Sequence, residues 1–461
     1  MTTDCSFLAE LDLRDDQVSF AAADRDHRGT DWGTKESEAA PPDAVVWAES
    51  TADIAAVLAA ADERGVPVTP YAAGTGIEGN AVPTAGGVSL DTTRMDRVLD
   101  ARPDDLQVDV EPGVVGAAVD DAVAGHGLFF PPLPTSGDIA TVGGMIATDA
   151  SGMRTVKYGT VGDWVRELEV VLADGTVLTV GTKAAKTSSG YNLRDLVVGS
   201  EGTLAVVTRA TLRLAGLPEQ VRGARVVFKT VDDAAAAVAD VVRSGVDVSA
   251  IELLDAASAR IANAYVGASL PDRPMLFVEL RANHGVDTEL EFCREVVAAH
   301  DPIAFETADG AALNDLWELR RELADAVRAF DPDLQSVHPG DVAVPVSRYP
   351  ELLRGVARLA EHHDLLIPCF GHAGDGNVHF DVLVDPSDEA AVALGERVFA
   401  EVVDLAIEMG GTATGEHGIG RGKRQFLRSE HGEAGVRTMR TVKRALDPNG
   451  TLNPGKVLPD D

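Results

Sequence analysis

A glycine-rich stretch, GTGIEG at residues 74–79, constrains this 461-residue chain more than any other feature. Its spacing matches GxGxxG, the turn that opens the helix of a dinucleotide-binding βαβ unit. That unit needs a helix starting inside the loop, but the chain continues NAVPTAGGVSLD, with Pro83, Gly86 and Gly87 where the helix would run. Proline lacks an amide donor and glycine resists helix formation, so no helix N-terminus can receive an anion there. A doubly wound nucleotide fold built on this turn is excluded. The turn keeps a different capability, because successive glycines let backbone N–H groups converge on an anion with no Cβ in the way. Two further stretches, ATVGGMIATDASG at 140–152 and VGSEGTL at 198–204, are read as turns of the same kind amid strands. Each taken singly is as readily a hairpin turn as a phosphate cradle.

The periodicity around these turns predicts an α+β chain. Strand AVVW follows Pro41, and Ser50 with Asp53 forms a capping pair for a helix that Gly65 ends. A short strand, VPVTPY, comes next, and residues 105–215 read mostly as strands. Among them, Asp174-Gly175 between two apolar runs signals a two-residue hairpin. After Pro218 the pattern becomes strand, helix, strand, strand, helix, strand: RVVFKT, a helix from Thr230 to Gly245, SAIELLD, MLFVELRA, a helix through FCREVVAAH, and IAFETA. That series predicts a split βαβ, ferredoxin-like antiparallel sheet with helices on one face. LNDLWELRRELADAVRAF reads as one longer helix, and DVAVPV, IPCFGHAG and NVHFDVLV continue the domain. The division predicted is 1–36 (a helix and loop), 37–217, 218–420, and a C-terminal segment 421–461 that returns to the first domain.

Acidic residues outnumber basic ones by 74 to 40, for a formal net charge of -34. Such a surface repels phosphate backbones and anionic membranes, which excludes nucleic acid as a partner. Lysine is rare beside arginine and aspartate abundant, which reads either as adaptation to a salt-rich cytoplasm, where screening suppresses self-repulsion, or simply as an acidic mesophilic protein. Cys5, Cys293 and Cys369 are far apart and odd in number, which suggests a reducing compartment. The start MTTDCSFLAELDLRDD is acidic and lacks a basic stretch followed by an apolar core, so it is not expected to act as a signal peptide, and no run of eighteen apolar residues suggests a transmembrane segment. The expectation is a cytoplasmic protein, at most peripheral to a membrane.

His372 and His379 frame GHAGDGNVH, a spacing that fits two metal ligands on a turn entering a strand, and Glu416-His417 stands in GEHGIG. Imidazoles plus one carboxylate with open positions suit Zn²⁺ or Mn²⁺ as a Lewis acid. Histidines in loops are commonly structural, and that alternative stays open on spacing alone. Asp381 falls on the face of His379 and is either an added ligand or an exposed strand aspartate.

These segments together, with PPDAVVW, PYAAGTGIEGN, VEPGV, YGT at 158–160, YNLRDLVVGSEGTL, DVAVPVSR and LNPGK, resemble the FAD-linked oxidases with the vanillyl-alcohol-oxidase (PCMH) type of flavin domain. Within them the chain is most similar to the branch of D-lactate dehydrogenase, glycolate oxidase and D-2-hydroxyglutarate dehydrogenase. The resemblance spans about Pro41 to Pro459. It implies a two-subdomain FAD-binding domain at 37–217 and a substrate-binding cap domain at 218–420 carrying the metal site. It implies FAD held by Pro70, Gly74, Thr75, Gly76, Gly79 and Asn80 around the pyrophosphate, and by Thr141, Gly143, Gly144 and Gly152 along the dinucleotide. Tyr158, Gly159, Glu201, Gly202 and Asn453 complete that set. No histidine lies between His27 and His126 to attach the flavin, so FAD is expected to be dissociable. The resemblance further implies His372, His379 and Glu416 as metal ligands, His417 as general base and Arg320 as the grip on the substrate carboxylate.

The implied reaction is oxidation of a small D-2-hydroxy acid, D-lactate foremost, with electrons leaving to a cytochrome, a quinone or an electron-transfer flavoprotein. DVAVPVSR and GEHGIGRGKRQ are more similar to the cytochrome-linked D-lactate enzymes. The threonine and lysine of the hydroxyglutarate branch are replaced here by Ala324 and Pro339, which favours a short substrate. Glycolate and D-2-hydroxyglutarate are the enzyme alternatives. A non-catalytic flavin-binding subunit would keep the glycine loops and lack the histidines and the Glu-His pair.

Overall fold

The computed structural model describes residues Thr3–Asp460, and these fall into two units. One comprises the chain up to Ser151, Thr160–Leu217 and Glu416 onward; the other comprises Gly152–Gly159 and Pro218–Gly415.

In the first unit, Ala44–Trp47, Val68–Tyr71 and Val88–Asp91 are almost wholly buried, as strands covered on both faces must be. They pair in parallel with Val88–Asp91 in the centre. A parallel pair needs a crossover, and helix Thr51–Arg64 supplies it. The Ser50 hydroxyl accepts the Asp53 N–H at 3.2 Å, a cap of about 1 kcal/mol. Ile54, Val57 and Leu58 then bury against Val46, Val68 and Leu90. The C-terminal tail joins the same sheet: the Val68 N–H donates to the Thr451 carbonyl and the Asn453 N–H to the Val68 carbonyl, both at 2.8 Å. Residues 72–87 contain neither helix nor strand, as the prolines and glycines there require. Before Ala44 the chain is richer than one helix and a loop. Beside helix Ala22–Arg28, strand Val18–Ser19 pairs antiparallel with Ala44–Trp47.

A second sheet of this unit is antiparallel, in the order Val98–Arg102, Gln107–Val110, Val206–Arg213, Val165–Val171, Val177–Gly181. The Asp174-Gly175 hairpin forms, but with a wider connection than two residues. The Leu172 N–H donates to the Thr176 carbonyl and Gly175 takes φ +82°, the three-residue turn with a left-handed glycine. The 140–152 stretch is not a turn, because Val142–Thr148 is a short helix whose Thr141 side chain accepts the Gly144 N–H. Gly143 serves close packing there: its N–H donates to the Pro112 carbonyl at 2.7 Å, and a Cβ would stand 2.6 Å from Pro112 Cβ.

The second unit is built on one seven-stranded antiparallel sheet. Its first four strands run in the spatial order Ala304–Ala308, Gln220–Val227, Met275–Ala282, Val248–Leu254. This is the 4-1-3-2 order of a ferredoxin-like sheet, with helices Val231–Ser244 and Val286–Ala298 as its crossovers. Cys369–His372, Asn377–Val384 and Gln335–Ala343 extend it past Val248–Leu254. The long helix expected at 313–330 is interrupted at Glu322, giving Gly310–Arg321 and Leu323–Arg328. Among the described residues no helix is long and apolar enough to cross a membrane.

Candidate active site

The glycine loop of the first unit has its carbonyls tied down and its amides left open. The Gly74 and Gly76 carbonyls accept from the Trp32 and Gly33 N–H groups at 2.9 and 3.2 Å. The N–H groups of Gly74, Thr75, Gly76 and Ile77 find no acceptor among the described residues. Consecutive unpaired amides are the donor set of an anion nest, and they fit the pyrophosphate of a dinucleotide. Lys456 is buried beside this loop, its Nζ donating to the Val82 carbonyl at 2.5 Å, and burial lowers it to about 8.

Three segments distant in sequence lock onto one another around Glu201. Its carboxylate is buried and accepts Asn80 Nδ2 at 2.6 Å, the Ile419 N–H at 2.7 Å and the Gly420 N–H at 2.8 Å. Burial raises the Glu201 carboxyl above its ordinary range in spite of these donors. Asn453 Nδ2 donates to the Asn80 and Glu201 carbonyls at 2.9 and 2.8 Å, and Asn80 Nδ2 also reaches the His417 carbonyl at 3.3 Å. Gly420 (φ +48°) must be glycine, since a Cβ would lie 2.2 Å from the Glu78 carbonyl oxygen. Glu78 in turn faces Lys423 Nζ at 3.1 Å, both side chains fully buried. The loop carrying Glu416 and His417 is thereby braced from two sides. Glu416 Oε2 accepts from the Ser151 hydroxyl at 3.0 Å, and Oε1 lies 3.9 Å from His417 Nε2.

In the second unit, the strands Val248–Leu254 and Cys369–His372 set Glu252 opposite His372. Glu252 Oε1 lies 2.7 Å from His372 Nδ1, and Oε2 accepts Arg320 Nε at 2.6 Å. All three side chains are buried. Burial is the largest influence on the Glu252 carboxyl and raises it, but the Arg320 guanidinium and the hydrogen-bonded His372 ring hold it below its ordinary range. Arg320 stacks on Phe370 at 5.0 Å, and its Nη2 is buried with no hydrogen-bond acceptor among the described residues. The His372 and His379 rings are perpendicular with centroids 5.1 Å apart. Behind His379 stands fully buried Asp341, its Oδ1 3.6 Å from Nδ1. Asp341 also accepts from Asn377 Nδ2, the Thr414 hydroxyl and the Gly415 N–H. It therefore fixes the last residues before the chain crosses to the first unit at Glu416.

Of the residues singled out in the sequence, Asn80, Glu201, Asn453 and His417 converge in the first unit, and Pro70 packs against Gly202 there. Thr141 caps its helix, and Gly143 and Gly144 sit in the first turn. Gly152, Tyr158 and Gly159 belong to the short segment of the second unit, where burial raises the Tyr158 hydroxyl. Arg320, His372 and His379 converge in the second unit. Asp381 stands half-buried in strand Asn377–Val384. The residues that sequence reasoning missed are Glu252, Asp341 and the Glu78–Lys423 pair. The available signal for Glu252 was a lone carboxylate within the apolar run AIELL.

The geometry and the sequence lead to one family. The profile of "FAD linked oxidases, C-terminal domain" matches residues 217–457, and that of "FAD binding domain" matches residues 42–181. The chain belongs to the FAD-linked oxidases and is an FAD-dependent enzyme. It is 38% identical to an Arabidopsis thaliana protein named D-lactate dehydrogenase (cytochrome), mitochondrial, over 91% of this chain and 74% of that one. A Bacillus subtilis glycolate oxidase subunit is 34% identical over 91% of this chain and 90% of its own length. Among solved structures, p-cresol methylhydroxylase has the same fold, with a TM-score of 0.79 at 17% identity over 97% of this chain and 95% of that one.

Proposed function

We propose that the chain oxidises a small D-2-hydroxy acid, D-lactate foremost, to the 2-oxo acid, and passes the electrons to an external acceptor. The observation that carries this is Arg320, a buried guanidinium whose Nη2 has no acceptor among the described residues, anchored on the same carboxylate as His372. A buried cation with an open donor suits the carboxylate that every 2-hydroxy acid presents. Proteins similar to this chain include D-lactate dehydrogenases and glycolate oxidase subunits, both named for small acids of this class. Glycolate is the second reading, favoured by the Bacillus relative's near-complete coverage.

When bound, FAD would supply the two-electron acceptor and a divalent cation, Zn²⁺ or Mn²⁺, would acidify the substrate hydroxyl. The open amides of residues 74–77 would take the FAD pyrophosphate without a covalent link. His372, His379 and Glu416 would hold the cation. The residues fit it, because a carboxylate on Nδ1 of His372 assigns Nε2 to a metal, and a second carboxylate stands behind His379. Arg320 would bind the substrate carboxylate through its open Nη2 edge. His417 accepts the hydroxyl proton, held in place through its own carbonyl by Asn80. Ala324 and Pro339 add no second cation for a longer diacid. The acceptor is a cytochrome, a quinone or an electron-transfer flavoprotein, in a reducing cytoplasm consistent with three buried free thiols. Dye-coupled turnover across D-lactate, L-lactate, glycolate and D-2-hydroxyglutarate tests the proposal. D-Lactate is expected to give the highest kcat/KM, and a preference for the diacid or the L-enantiomer would overturn it.

A further inference from the structure

Glu252 joins two groups to which the proposed function gives separate tasks. The strand register puts Glu252 opposite His372 and Leu254 opposite Phe370, so Glu252, His372 and Phe370 share one face of the sheet. Arg320 comes to that face from helix Gly310–Arg321 and lies over the Phe370 ring. One carboxylate oxygen, Oε1, holds His372 Nδ1 at 2.7 Å, and the other, Oε2, holds Arg320 Nε at 2.6 Å. The side chains of Glu252, His372 and Arg320 are 0%, 4% and 5% exposed, so water cannot replace either bond. With Nε engaged, the guanidinium plane is fixed and its buried Nη2 is left as a donor with no acceptor among the described residues.

We propose that Glu252 is a positioning residue that sets the metal-binding nitrogen of His372 and the carboxylate-binding edge of Arg320 together. This rests on the proposed function, in which His372 holds a cation and Arg320 holds the substrate. Oε1 accepts the Nδ1 proton, which places the His372 lone pair on Nε2 and fixes the ring plane. Oε2 orients the guanidinium so that Nη2 is presented to an incoming carboxylate. Glutamine cannot do both, since it offers one acceptor oxygen and an amide that must face one of the two donors. Aspartate is one methylene short and reaches only one of them. Cation affinity and substrate KM therefore depend on a single side chain that touches neither ligand.

The test uses FAD-loaded protein stripped of metal and titrated with Zn²⁺ against a chromophoric chelator, for wild type, Glu252→Gln, Glu252→Asp and Glu279→Gln. Glu279 is the matched control, a buried carboxylate on the neighbouring strand that holds Arg154 and Arg281 instead of a histidine. The Glu252 variants are expected to lose Zn²⁺ affinity by about 10–100-fold. Their KM for D-lactate should also rise, while FAD content and Glu279→Gln affinity stay at wild-type levels. A rise in KM with unchanged Zn²⁺ affinity would overturn the shared role, as would an equal loss of affinity in Glu279→Gln. If Glu252→Gln does not fold, Glu252→Asp carries the same two readouts. Wild type that binds no Zn²⁺ would instead sink the metal reading on which the proposal stands.

Discussion

Glu201→Ala removes the acceptor on which two backbone amides and one side-chain amide of the first unit depend. Asn80 Nδ2, the Ile419 N–H and the Gly420 N–H donate to it at 2.6, 2.7 and 2.8 Å, and the carboxylate is buried. Each buried donor left unpaired costs roughly 1–3 kcal/mol, and water entering the vacated space recovers part of that. A net loss of about 3–5 kcal/mol is expected, a large share of the roughly 5–15 kcal/mol that holds a typical protein folded. Glu201→Gln keeps the volume and one acceptor, so it should lose about half as much. Urea unfolding of the apoprotein measures both, and FAD titration measures the cofactor separately. The brace also sets Asn80, which holds the His417 carbonyl, so kcat should fall in the FAD-loaded variant. If Glu201 instead served the dinucleotide directly, apoprotein stability would be unchanged and only the FAD Kd would rise. That result would refute the reasoning.

Four further outcomes are expected. His417→Asn should lower kcat by about 10²–10⁴-fold with FAD content unchanged, and a loss below tenfold would exclude it as the base. Arg320→Lys keeps the charge but loses the planar fork, so KM for D-lactate should rise roughly 10- to 100-fold, the equivalent of a charged hydrogen bond. Dialysis against a chelator should abolish turnover and leave the flavin spectrum intact, with activity restored by Zn²⁺ or Mn²⁺; full activity after chelation would contradict the metal's role. Asp255 caps helix Ala256–Val266 from a half-buried position, and desolvation raises its carboxyl from 3.8 to about 6. The folded chain thus binds more protons than the unfolded chain between those values, and stability declines as pH rises through them, by at most about 3 kcal/mol. Asp255→Asn cannot ionise, so its Tm relative to wild type should climb from pH 4 to 6.5; a difference independent of pH would refute the assignment.

Much of the fold was legible because its signals are local. The strand-helix-strand series after Pro218 gave the ferredoxin-like sheet, and Ser50 and Gly65 marked the ends of helix Thr51–Arg64. Pro83, Gly86 and Gly87 ruled out a helix after residue 79, and none forms. What was not legible depends on partners distant in sequence. Glu252 meets Arg320 and His372 across 68 and 120 residues, and Glu201 meets Gly420 across 219. No periodicity reports such pairings, and a motif marks His372 without saying what holds its other nitrogen. The 140–152 stretch was misread because its glycines suit a turn; the helix is decided by Thr141 capping Gly144 and by Gly143 packing on Pro112. The interruption at Glu322 carries neither proline nor glycine, so nothing local announces it.

The central claim is that a 2-hydroxy acid of D configuration delivers its electrons to the flavin of this chain. Anaerobic mixing of the FAD- and metal-loaded protein with each acid, followed by flavin absorbance, measures that step without any external acceptor. Bleaching by D-lactate and not by L-lactate is the expected result. A flavin that stays oxidised with every 2-hydroxy acid, in protein shown to hold both FAD and metal, would contradict the account.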